Sequence, residues 1–195
     1  MKTIRLLLAS SVLLTATFAD AQGREGNPGI EANPACQAAA DVLREIAGTD
    51  GAFLPAGHVR EKLQADNLAS MLVYPTDPIV VLKLKGSQVR AAFERSVSLY
   101  PQANSSFLQV SGFEITFNPN ADPNKRITSV LAGTGKLDED REYSIAMPSS
   151  LGYGGLGYFK IWDTSKIART LSGTLEEALR GKRVGEFKPR WVPAP

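Results

Sequence analysis

The sequence predicts a single α+β domain, and three observations predict it. Helical and strand-like stretches run in the order helix, strand, helix, several strands, helix, with the strands crowded together mid-chain. That order does not fit a regular alternation of strands and helices around a parallel sheet. No internal repeat and no linker divides the chain into two folded halves. With 195 residues, 43% apolar and 22% charged, the composition is ordinary for a globular protein and excludes wholesale disorder or a collagen-like repeat.

The first 21 residues read as a targeting segment. Lys2 and Arg5 form a basic start, Leu6 to Phe18 is apolar or small, and Ala19-Asp20-Ala21 supplies a small-x-small cleavage pattern. The apolar run is about a dozen residues, short of the roughly 20 that a spanning helix requires. Export with cleavage before Gln22 is therefore expected, to the periplasm or the outside of the cell, with no membrane attachment afterwards. No cysteine follows the apolar run to accept a lipid, because Cys36 lies well downstream.

Residues 22–34, rich in Gly, Asn and Pro, are expected to form a flexible leader, and residues 35–195 the domain. Asn33-Pro34 offers an N-cap and a first-turn proline. The helix from Ala35 to Ala47 would turn Ala39, Val42, Leu43 and Ile46 inward and stop at Gly48. Cys36, the only cysteine, reads as a small buried side chain of this helix, or as a partner in an intermolecular disulfide. The stretch from Asp50 to Asp66 carries no clear period. Ile79 to Leu84 reads as a buried strand, and Ser87 as the cap of a helix reaching about Leu99, with Val89, Ala92, Phe93, Ser96 and Val97 inward. Leu108 and Val110 alternate, as do Phe113, Ile115 and Phe117, but the two sets are out of phase across Gly112, which predicts a bulge or sharp bend there. Ile127 to Leu131 and Tyr143 to Met147 are two further strands. Thr174-Leu175-Glu176-Glu177 is a capping box opening a last short helix.

Charge and residue counts narrow the chemistry. Twenty-two Lys and Arg against 20 Asp and Glu are too evenly balanced to predict a nucleic-acid partner. One Cys and one His cannot build a Cys/His zinc site. His58 has no G-x-S-x-G serine to serve, and it reads as a loop or partly buried polar residue. Asp138-Glu139-Asp140 lacks EF-hand spacing and reads as a solvated turn. The most unusual stretch is Gly152-Tyr153-Gly154-Gly155-Leu156-Gly157-Tyr158, just after a strand. It would either let a ligand approach backbone N–H groups, with Tyr153 and Tyr158 stacking on it, or form a tight turn with a tyrosine packed as a lid.

Three segments in order carry a family resemblance. They are Leu84 to Val97, Phe107-Leu108-Gln109-Val110-Ser111-Gly112, and Tyr143 to Met147 followed by Gly154-Gly155-Leu156-Gly157-Tyr158. Together they resemble the C-terminal, substrate-binding domain of the 5′-nucleotidase / UDP-sugar hydrolase family, over roughly Asp50 to Lys182. The resemblance implies a single α+β domain with α/β/β/α layers. It also implies a role in binding and hydrolysing nucleotides or nucleotide sugars, with the base held between two phenylalanines and the phosphate met by arginines.

By the same resemblance Arg60 falls on the phosphate-binding arginine of an "NGGGIR" stretch, with Pro55 in place of its Asn and His58 in place of a Gly. Arg90 is a weaker second phosphate contact; its alternative is a surface pair with Glu94. Phe107 falls on or next to one stacking ring, Ser150 stands where the other belongs, and Leu156 replaces a loop Asp. Gly154, Gly155 and Tyr153 complete the implied substrate-binding set. Nothing resembles the family's metallophosphoesterase half, and one His cannot supply its two-metal ligand set. No catalytic residue, metal or cofactor is therefore expected in this chain. Hydrolysis would need a separately encoded metallophosphoesterase; otherwise the chain is a non-catalytic binding or structural module acting on a phosphorylated small molecule or on none.

Overall fold

The computed structural model describes residues 26–60 and 66–194. The segment read as a signal peptide lies outside the described residues. Among the described residues, nine strands form two sheets. β1 (Gly51–Pro55), β2 (Pro78–Lys85), β3 (Leu108–Ser111), β7 (Glu142–Pro148) and β8 (Ile167–Thr174) make a five-stranded sheet in the order β3-β1-β7-β2-β8. β4 (Phe113–Phe117), β5 (Ile127–Ala132), β6 (Gly135–Lys136) and β9 (Trp191–Pro193) make a second sheet in the order β6-β5-β4-β9. The first sheet is antiparallel except for β1 against β7.

Alternation along the strands of the first sheet gives it a core on each face. Ala52, Leu54, Ile79, Val81 and Ala146 face α1 (Pro34–Ala47) and α4 (Leu175–Leu179). Phe53, Val80, Leu82, Ile145 and Met147 face the opposite way, toward α2 (Gly86–Ser96) and the second sheet. There Phe93 of α2 meets Phe53, Phe113 and Trp191 edge-on, at 5.6, 5.5 and 5.6 Å between ring centroids. Such edge-to-face pairs add about 0.5–1.5 kcal/mol each beyond the area that they bury.

Local signals account for most elements. The Asn33 side chain accepts from the Cys36 N–H, Pro34 opens α1, and Gly48 closes it in the left-handed conformation. The docked stripe of α1 runs through Cys36, Ala39, Ala40, Leu43 and Ala47, whose small side chains let the helix lie close to the sheet. Ile46, expected inward, falls off that stripe and is 45% exposed. α2 begins at Gly86, with Lys85 rather than Ser87 at its N-cap, and it ends at Ser96. A Cβ at Gly86 would sit 2.0 Å from the Asp138 carbonyl oxygen, so the close approach of that turn fixes the helix start.

The phase slip at Gly112 is the crossing from one sheet to the other. Its φ is +83°, and a Cβ there would lie 2.1 Å from the Asp50 carbonyl oxygen. Before it, Gln109 and Ser111 face α1; after it, Phe113, Ile115 and Phe117 enter the core of the second sheet.

The stretch expected to be a flexible leader is held in place from Gly26 onward. Gln109 donates to the carbonyls of Pro28 and Glu31 and accepts from the Asn33 N–H, and the Asn104 N–H donates to the Gly29 carbonyl. A low-complexity composition misleads here because backbone groups, not side chains, make the attachment.

Candidate functional site

Sheet register gathers the candidate residues at one end of the five-stranded sheet. Ile79 pairs with Pro148, which sets Asp77 beside Ser149 and Ser150 at the start of α3 (Ser149–Gly152). β1 runs parallel to β7, so the turn after Pro55 brings Gly57, His58 and Arg60 to the same end. The Gly57 N–H donates to the Ser105 carbonyl, which ties the Arg60 turn to the loop before β3.

Arg60 is exposed and lines a cavity of about 470 Å³ with Gly57, Val59, the loop Ala103-Asn104-Ser105 and the segment Gly26 to Gly29. Among the described residues, Arg60 is the only charged side chain on that lining, and none of the lining residues is aromatic. Among the described residues no carboxylate pairs with it. An unpaired guanidinium beside polar backbone is suited to an anion, because its planar fork of donors matches phosphate or carboxylate oxygens. The wall formed by Gly26 to Gly29 was not legible as part of a site.

The other predicted residues fare differently. Phe107 is 1% exposed and lies against Trp191 at 4.8 Å, so it is a core ring and not an open wall for a base. Arg90 pairs with Glu139 at 2.6 Å, away from Arg60, while Glu94 accepts from the backbone of Arg126 and Ile127. Arg90 is therefore paired with Glu139 rather than with Glu94, and it is not on the lining of the Arg60 cavity.

Gly154 and Gly155 close the loop upon itself. The Gly154 N–H donates to the Leu151 carbonyl, and a Cβ on Gly155 would lie 2.6 Å from the Ser150 carbonyl oxygen. Tyr158 is fully buried, stacked on Trp162 at 4.8 Å, and its hydroxyl donates to the Ser106 carbonyl. Tyr153 alone of the loop's tyrosines is open, at 59%. Leu156 adopts φ +54°, a left-handed conformation that is rare for leucine, and its carbonyl is held by Arg95 Nε at 2.9 Å.

Sequence reasoning missed a polar cluster built by His58, Asp77, Ser149 and Ser150. Ser150 Oγ is 2.7 Å from His58 Nε2 and 2.6 Å from Asp77 Oδ2, and Asp77 also accepts from the Ser149 hydroxyl and the Ser150 N–H. Burial pushes the Asp77 carboxyl up, but the bonds from His58, Ser149 and Ser150 outweigh it and hold the group below the usual carboxylate range. The residue types are those of a hydrolytic triad, but the connections are not. In a triad the carboxylate holds the far ring nitrogen and the near one takes the serine proton. Here Asp77 lies on the near side, 3.4 Å from Nε2, and the buried Nδ1 has no partner among the described residues. One arrangement satisfies the short contacts: Nε2–H donates to Ser150, and the Ser150 hydroxyl donates to Asp77. The histidine is then no base for the serine, and the cluster acts as a clasp joining three loops.

A second polar cavity of about 430 Å³ lies at the other end of β1 and includes Arg44, Asp50 and Arg141 in its lining. Arg141 is paired with Asp50 at 3.0 Å there. Among the described residues no group of three or more His, Cys, Asp or Glu could hold a metal ion, and no helix is long and apolar enough to cross a membrane.

Comparison with known proteins gives one family. The family described as "5'-nucleotidase, C-terminal domain" matches residues 12–163. A snake venom 5'-nucleotidase from Naja atra is 33% identical over 120 residues, which is 56% of this chain and 22% of that protein. A 5'-nucleotidase-related protein from Glossina morsitans morsitans is 34% identical over 128 residues, 59% of this chain and 23% of that one. The chain thus spans less than a quarter of these relatives. Among solved structures, a 5'-nucleotidase precursor from Thermus thermophilus superposes with a TM-score of 0.69 at 21% identity, covering 88% of this chain and 37% of that one. NAD nucleotidase from Haemophilus influenzae does so with a TM-score of 0.64 at 15% identity, covering 89% and 36%. Both share the fold: one α+β domain with two sheets and few helices.

Proposed function

Since this chain belongs to the 5'-nucleotidase C-terminal domain family, we propose that it is an exported ligand-binding module, periplasmic or extracellular, whose Arg60 cavity holds a phosphorylated small molecule. Hydrolysis of that ligand, in the nucleotide catabolism typical of the family, would fall to a separately encoded metallophosphoesterase carrying the divalent metals. The observation that carries the reading is Arg60, which among the described residues is the one charge on its cavity and has no carboxylate partner.

A second reading is favoured by a specific observation. Of the two positions that the resemblance assigns to the base clamp, Phe107 is buried in the core and Ser150 is bonded into the clasp. That arrangement suits a non-catalytic module that has given up the nucleobase. Titration calorimetry with inorganic phosphate and phosphorylated small molecules tests both readings. Arg60→Ala should weaken binding by about 1.5–3 kcal/mol, the usual worth of a charge-assisted bond. Binding unchanged by the substitution rejects the site.

A further inference from the structure

The lining of the Arg60 cavity says what kind of molecule carries the phosphate. Resting on the reading that Arg60 meets a phosphate, we propose that the cavity selects a hydroxylated, non-aromatic monophosphate (a sugar or polyol phosphate) over a nucleotide. Three observations carry this.

Beside Arg60 the described lining offers the exposed side chains of Asn27 and Ser105, groups that hydrogen-bond hydroxyls, and it offers no ring on which a base could stack. The Ser105 side chain is exposed; only its backbone carbonyl is engaged, by the Gly57 N–H. Phe107 cannot turn outward as a wall without leaving Trp191, and Ser150 cannot be displaced without leaving buried Asp77 and His58 short of a partner. A polar pocket whose described lining carries one cation and no carboxylate suits an anion plus hydroxyls. A base on this lining gains none of the stacking energy that aromatic platforms supply; the rings of Tyr100, Phe117, Phe187 and Trp191 line an adjoining cavity of about 760 Å³ that shares only Gly26 and Asn27 with it.

The test compares inorganic phosphate, ribose 5-phosphate and AMP on the wild-type protein by titration calorimetry. The last two share phosphate and sugar and differ by the base. Ribose 5-phosphate is expected to bind at least fivefold tighter than phosphate, and AMP less than fivefold tighter than ribose 5-phosphate, a margin of about 1 kcal/mol. Ser105→Ala should lower affinity for ribose 5-phosphate and leave that for phosphate unchanged. AMP tighter by fivefold or more overturns the proposal while leaving the Arg60 reading intact. Ribose 5-phosphate less than fivefold tighter than phosphate also overturns it, since only the anion would then be read. No binding of any of the three overturns the Arg60 reading itself, and the proposal with it.

Discussion

Replacing Asp77 with alanine tests the clasp that holds the site's loops together. Asp77 accepts from Ser149 Oγ, Ser150 Oγ and the Ser150 N–H, and it faces His58 Nε2 at 3.4 Å. Ser150 is exposed, so water can replace its bonds; Ser149 is buried, and its hydroxyl would lose its acceptor. A buried polar group left unsatisfied costs about 1–3 kcal/mol. Asp77→Ala should therefore destabilise the protein by about 2 kcal/mol, or roughly 4–8 °C in melting temperature for a domain of this size.

The loss should depend on pH with a defined sign. The folded-state carboxyl lies below its usual value of 3.8, so its contribution is complete above that value and disappears as pH falls through the folded-state value. Urea denaturation of wild type and variant, repeated from pH 7 to pH 3, measures both. The gap should stay level down to about pH 5 and narrow below about pH 4. A gap that is negligible at pH 7, or one that does not change down to pH 3, would refute the clasp.

Three further substitutions separate core, surface and backbone effects. Phe107→Ala should destabilise by about 3–5 kcal/mol through the cavity left against Trp191, with ligand affinity unchanged wherever the protein remains folded; denaturant titration beside calorimetry checks both. Arg90→Ala should leave phosphate binding untouched and cost under about 1 kcal/mol, because its pair with Glu139 is largely solvated. Gly112→Ala should destabilise more than an ordinary surface change, or block folding, because its new methyl would collide with the Asp50 carbonyl in a left-handed backbone; circular dichroism of the purified variant reads this.

Elements with local signals were legible in the sequence, and those fixed by distant pairing were not. The Asn33-Pro34 start and Gly48 stop of α1, the β-branched run of β2 and the Thr174 capping box each act within a few residues. The slip at Gly112 was legible because alternation changes face there. β8 was not, since it lies at the edge of the first sheet with most of its residues exposed and has no apolar alternation to read. β9 is three residues long, and only Trp191 is buried in it. Of the site, the turn bearing Arg60 was legible from its resemblance to a binding stretch. The clasp was not: Ser150 is 92 residues from His58 and 73 from Asp77, and only the β2–β7 and β1–β7 registers bring the three together. Phe107 shows the reverse limit. A pattern can match a stacking ring while a strand near the far end of the chain covers it.

Locating a bound ribose 5-phosphate crystallographically tests the central claim most directly. The phosphate should lie within hydrogen-bonding distance of the Arg60 guanidinium, between the Gly26–Gly29 wall and the Ala103–Ser105 loop, with the sugar toward Ser105 and Asn27. Density instead in the cavity of Arg44 and Arg141, with Arg60 empty, would contradict it.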